Sequence, residues 1–211
     1  MSDIRVYAKG VSPPRATDDS WVALRAFRDG APIVVPWLVA LAVEGKIFQV
    51  RLGTITTPLT GDVAITDTAA ESAAEAATGY VILPLHLNVT IEALGGTLPA
   101  VEFKSVGALI TTLGAAFTPL NLKIGGAAAN GRAAVSAAGG VTVAAELNTT
   151  TRQHYTDTRA VAADGIIDVD FDLPPVLVGP ASCYLQVGSV TTGSTYFAHY
   201  EFAEFTTGEL T

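Results

Sequence analysis

Charge is what this chain has least of. Asp, Glu, Lys and Arg together make up 15% of its 211 residues, against roughly 25% in an ordinary soluble domain. Only four lysines occur: Lys9, Lys46, Lys104 and Lys123. Hydrophobic residues reach 49% and the mean hydropathy is +0.41. A monomer this sparing with charge would hold broad apolar patches in water, and burial against other protein is the physical escape. Cysteine is nearly absent as well. The lone Cys183 excludes an intrachain disulfide and a cysteine-pair zinc site, and is expected in the core. No staple is required, because a chain of this size buries about 70% of its unfolded surface.

Long apolar runs are also missing. The most apolar stretch, residues 31–43, contains Pro32 and Pro36, and it is too short to cross a bilayer as a helix. The opening Met1-Ser2-Asp3-Ile4-Arg5 lacks the apolar core of a secretory signal. Catalytic signatures are absent too: no G-x-S-x-G, no P-loop, no H-x-H or H-x-x-x-H. The three histidines, His86, His154 and His199, lie far apart and are expected on strand surfaces or interfaces. Gly125-Gly126 and Gly139-Gly140 lack the strand–turn–helix setting of a phosphate cradle and read as turns. These absences predict a chain that is not an enzyme and has no cofactor or small-molecule substrate.

The charge that is present is unevenly spread. Residues 1–51 carry seven basic and five acidic side chains, and the remainder carries five basic and fifteen acidic ones. Scattered positives interrupted by acids make a poor polyanion binder, so sequence-specific nucleic-acid binding is not expected.

What is abundant is strand pattern. His86, Asn88, Thr90 and Glu92 alternate with Leu87, Val89, Ile91 and Ala93; Tyr196, Ala198, Tyr200 and Phe202 share one face. Ile33 to Val43 reads as an apolar strand bent at Pro36, followed by a turn at Glu44-Gly45 and a further strand over Lys46–Leu52. The one helical expectation is a short helix near 67–78, where Thr68-Ala69-Ala70-Glu71 has the spacing of a capping box and alanine is frequent. About ten to twelve strands in one domain spanning 1–211 predict an all-β fold, a β-sandwich or single jelly roll, with 1–20 as an extended N-terminal arm.

The most site-like feature is an aspartate run. Strand geometry places Asp168, Asp170 and Asp172 on one face, about 6.5–7 Å apart in succession. A calcium ion would relieve their repulsion, whereas parallel carboxylates on a solvent-facing strand would keep an edge soluble and unpaired. Trp21, Trp37 and the tyrosines Tyr184, Tyr196 and Tyr200 are candidates for a sugar-binding platform or for the core. Asn88-Val89-Thr90 and Asn148-Thr149-Thr150 match the glycosylation tripeptide, a chance match where Asn88 lies inside a strand.

Low charge, richness in Ala, Gly, Thr and Val, a single cysteine, a single methionine at position 1 and many strands give a chain that resembles jelly-roll viral and bacteriophage structural proteins. The resemblance implies a capsid or decoration subunit of a virion, assembled in the host cell, whose partners are copies of itself and other particle proteins. It departs from many shells around single-stranded genomes in lacking a basic terminal arm. The alternative is a β-sandwich carbohydrate-binding or adhesin-like module, calcium-stabilised at Asp168–Asp172.

Overall fold

The long alternating segments of the sequence become the centre of the fold. The computed structural model describes residues 5–7, 21–23, 37–63, 65, 68–95, 99–112, 115–135, 141–143, 151–157, 165–189 and 192–209. A short pair, β1 (Arg5–Tyr7) and β2 (Trp21–Ala23), precedes helix α1 (Trp37–Glu44). Then come β3 (Ile47–Leu52), β4 (Leu59–Thr60), β5 (Ala69–Ala70), β6 (Ser72–Ala76), β7 (Tyr80–Ala93) and β8 (Ala100–Val106). The next strands are β9 (Ala115–Phe117), β10 (Leu120–Asn121), β11 (Ala133–Val135), β12 (Val141–Thr142) and β13 (Thr151–Asp157). The chain closes with β14 (Gly165–Asp170), β15 (Leu177–Val178), β16 (Ala181–Gly188) and β17 (Thr195–Thr206). Of the arm expected over 1–20, only β1 is among the described residues.

Two antiparallel sheets stack as a sandwich, which bears out the all-β expectation. The first has the order β10-β3-β17-β7-β14, with β4 joined to β17 and β15 to β7; the second runs β13-β8-β16-β6-β11-β9. Alternation decides which side chains meet between them. Leu87, Val89 and Ile91 of β7 and Tyr196, Tyr200 and Phe202 of β17 point inward from the first sheet. They meet Phe103, Cys183, Leu185 and Val187 of the second. Cys183 is therefore core, as expected, and burial pushes its thiol up to about 12.

The central strands of the second sheet, β16 and β6, are covered on both faces. Ala73, Ala134, Val106 and Tyr184 alternate with the inward residues of their strands and pack with Ile110 and Val141 in a separate outer cluster. This explains a correction. Residues 67–78 were expected to hold the helix, yet Ala69–Ala70 and Ser72–Ala76 are strands. A strand pressed from both sides needs small side chains, so alanine serves packing here and its helix propensity is overridden.

The helix lies instead inside the run expected as a strand from Ile33 to Val43. Trp37–Glu44 has no polar alternation to hold it in a sheet, and its sequence WLVALAVE is apolar all round. It ends at Gly45, whose φ of 76° suits glycine. Gly45 N–H donates to Ala42 O at 3.0 Å and Lys46 N–H to Leu41 O at 2.9 Å, the two bonds of a Schellman cap. The glycine expected to turn a hairpin thus stops a helix. Leu41 packs on the outer face of the first sheet with Ile47, Leu85 and Ala203. Leu85 reaches that face because β7 bulges there: Glu201 pairs with His86, and Phe202 skips to Pro84. A bulge also accommodates the proline, which has no N–H for the ladder.

Among the described residues three glutamates are buried, Glu71, Glu75 and Glu204, and each carboxylate accepts from backbone N–H. Glu204 takes the N–H of Asn130 at 2.9 Å and of Gly131 at 3.0 Å. Gly131 admits no side chain, since a Cβ there would lie 1.9 Å from Glu75 O. Glu71 takes the N–H of Asp62 at 3.2 Å and of Val187 at 2.7 Å. Burial, with the nearby Asp62 charge adding, lifts Glu71 from the usual 4.5 to about 7.

That displacement makes stability depend on pH. Between pH 4.5 and about 7 the folded chain keeps a proton that the unfolded chain releases, so stability falls as pH rises through this window. The full difference corresponds to roughly 3 kcal/mol. Urea unfolding of the wild type is expected to show this decline between pH 4.5 and 7, and of Glu71→Gln to lack most of it. Parallel pH profiles for the two proteins would contradict the assignment.

Candidate functional site

The outer face of the first sheet carries the polar half of every alternating strand. Strand register sets these side chains in two rows. One row runs Gln49 on β3, Glu201 on β17, His86 on β7 and Asp170 on β14. The other runs Arg51, His199, Asn88 and Asp168 across the same strands. Residues scattered over the sequence thus converge on one surface.

The aspartates stand where alternation predicts, up to a point. Asp168 and Asp170 point outward, with side chains 62% and 84% exposed. The strand ends at Asp170, so Asp172 falls beyond it and is exposed. Both strand aspartates are engaged across the ladder. His86 Nδ1 lies 2.8 Å from Asp170 Oδ1, and His86 Nε2 lies 3.1 Å from Asp168 Oδ1. Asn88 Nδ2 donates to Asp168 Oδ1 at 3.2 Å. This network staples the edge strand β14 to its neighbour.

Among the described residues no group of three or more His, Cys, Asp or Glu side chains is disposed to hold a metal ion. The calcium candidates Asp168, Asp170 and Asp172 therefore lack a common focus. The melting temperature is expected to be the same within about 1 °C in excess Ca²⁺ and in EDTA, because an ion at a hundred times its Kd would add about 2.7 kcal/mol. A rise of several degrees would restore the ion site.

Beside the polar rows, α1 roofs a groove of about 390 Å³. Leu38, Val39 and Ala42 form its helical wall, and Ile47 and Leu85 its apolar floor. His86, Asp170, His199 and Glu201 supply its polar side. The two imidazoles lie with ring centroids 5.6 Å apart and planes tilted by 34°. Burial holds His199 below the ordinary imidazole range, with His86 and Arg51 reinforcing and Glu201 and Asp168 opposing. Gln49 Nε2 donates to Glu201 Oε1 at 3.1 Å. Each carboxylate keeps further acceptor positions, and no lysine or arginine is among the described residues that line the groove.

The remaining candidates fall elsewhere. His154 is on β13, on the second sheet, with Nε2 2.7 Å from Ser105 Oγ; burial, then Arg152, lowers its pKa. Tyr184, Tyr196 and Tyr200 are fully buried, so they build core. Trp37 is 53% exposed, and the side chain of Trp21 lies outside the described residues, as do Gly139-Gly140 and Asn148. Asn88 is within β7, as the glycosylation argument required. Gly125, at φ 80°, and Gly126 close a turn through Gly126 N–H to Lys123 O at 2.7 Å.

The roles of Glu201 and His199 were missed from the sequence, as was the helix above them. Alternation marks them as outward residues, but only the order of strands reveals that they face His86 and Asp170. Among the described residues no helix is long and apolar enough to cross a membrane. No protein-family model, curated protein or solved structure shows a significant match to the chain.

Proposed function

We propose that this chain is a structural subunit of a virus or phage particle, a capsid or decoration protein that assembles with copies of itself through low-charge faces. The supporting observation is α1. An eight-residue helix that is apolar on all sides packs on its own sheet through Leu41 and Ala42. Trp37, Val39 and Val43 remain 53%, 49% and 66% exposed. Apolar helices of this kind are ordinarily enclosed on every side, and contact with another subunit completes the enclosure. Leu173 and Ile124, 91% and 99% exposed, offer further contact points.

Repetition makes such contacts effective. A standard interface buries about 1,600 Å² in total, and symmetry reuses one patch in every copy. Negative-stain microscopy of the purified full chain tests the reading. Regular multi-copy assemblies are expected, and a field of dispersed single domains would overturn it. The exposed Trp37 favours a second reading, a carbohydrate-binding or adhesin-like module, which retention on a glycan array would support.

A further inference from the structure

Asn130-Gly131 is the one asparagine–glycine pair in the chain; Asn88, Asn121 and Asn148 precede Val89, Leu122 and Thr149. A following glycine brings no side chain to hinder its backbone nitrogen from reaching the asparagine amide carbon. Packing fixes that glycine. Gly131 is buried, and a Cβ there would lie 1.9 Å from Glu75 O. Asn130 itself is exposed, so water reaches its side chain. The pair thus joins an unhindered nucleophile to solvent access, which is what amide cyclisation and hydrolysis need. Against it stands one buried carboxylate. Glu204 Oε1 accepts Asn130 N–H at 2.9 Å and Asn130 Nδ2–H at 3.0 Å, and Oε2 accepts Gly131 N–H at 3.0 Å. The nitrogen that would attack and the nitrogen that would leave are held by the same group, and hydrogen bonds to a carboxylate are the stronger kind.

We propose that Asn130 is a site of spontaneous deamidation, held shut by Glu204 in the folded chain and reached when the β10–β11 loop opens. In the open loop the Gly131 nitrogen gives its proton to solvent and bonds to Asn130 Cγ. The Cγ–Nδ2 bond breaks, and the nitrogen takes up one proton and leaves as ammonia. Water then opens the cyclic imide at either carbonyl, giving aspartate or isoaspartate. The change is one-way. It replaces the Nδ2 donor with an acceptor facing Glu204, and a buried acceptor that loses its donor is costly. A loop that opens for a moment is thereby marked, and it closes less well afterwards.

Peptide mapping by mass spectrometry after prolonged incubation at mildly alkaline pH tests this on the full chain, both folded and in urea. In urea, conversion of amide to acid is expected at Asn130 well ahead of Asn88, Asn121 and Asn148. In the folded chain it is expected to be slower by about tenfold or more, because local opening must come first. Glu204→Gln, which sets an NH2 group among the three donors, should raise the folded-state rate several-fold. Asn130→Asp, which installs one product directly, should melt several degrees below the wild type. Four results would overturn the proposal. They are no conversion at Asn130 in urea, a folded wild type that converts as fast as the unfolded chain, a folded Glu204→Gln chain that converts no faster than wild type, and an Asn130→Asp chain as stable as wild type. Should Glu204→Gln not fold, hydrogen exchange of the wild-type Gly131 amide takes its place. Protection is expected there, and exchange at the unfolded rate would equally overturn the proposal.

Discussion

Arg132→Ala is expected to cost about 3–5 kcal/mol of folding stability, the range for stranding one member of a buried ion pair. Glu75 is almost wholly enclosed, whereas the Arg132 side chain is 53% exposed. Arg132 donates Nε to Glu75 Oε2 at 2.7 Å and Nη2 to Oε1 at 3.0 Å. Glu75 Oε1 also accepts the N–H of Ile110 at 2.8 Å. Removing the arginine leaves an anion inside with one backbone donor. Removing the charge is milder, because an exposed guanidinium returns to water. Glu75→Gln is thus expected to cost only about 1–2 kcal/mol, keeping an acceptor for Ile110. Urea unfolding of both variants measures the contrast. An Arg132→Ala cost below about 1 kcal/mol, or an inverted order, would contradict it. Either loss is large beside the 5–15 kcal/mol that holds most domains together.

The second large effect concerns association. Trp37→Glu/Val43→Glu places two charges on the uncovered side of α1 without touching the groove or the core. Because Val43 stands mostly in water and Trp37 about half so, the folded subunit should lose only about 1–2 kcal/mol. An interface that must desolvate those carboxylates loses several kcal/mol, so self-association should weaken by about a hundredfold or more. Leu41→Ala is the counterpart: the buried leucine is expected to cost about 2–3 kcal/mol of folding stability. Light scattering against concentration reads the first effect, and urea unfolding the second. Assembly unaffected by the two glutamates would place the interface elsewhere.

Much of the fold was legible because alternation survives wherever a strand has one wet face. Leu87, Val89 and Ile91 against His86, Asn88 and Thr90 fixed which side of β7 meets the core. Asp168 and Asp170 did the same for β14. The misplaced helix shows where that signal stops. WLVALAVE has no polar residue at either period before Glu44, so pattern does not separate a helix from a buried strand. In Ser72–Ala76 the strand is covered on both faces, and alternation disappears for the same reason. The buried glutamates were invisible because their partners Val187, Ile110 and Asn130 come from segments distant in sequence. The groove was hidden likewise: His86, Glu201 and Asp170 become neighbours only through the order β17-β7-β14.

Sedimentation velocity of the purified wild-type chain over a wide concentration range tests the central claim of self-assembly most directly. Discrete species many times heavier than the 21.7 kDa subunit are expected. A single boundary at the monomer mass, persisting at the highest concentration, would contradict it.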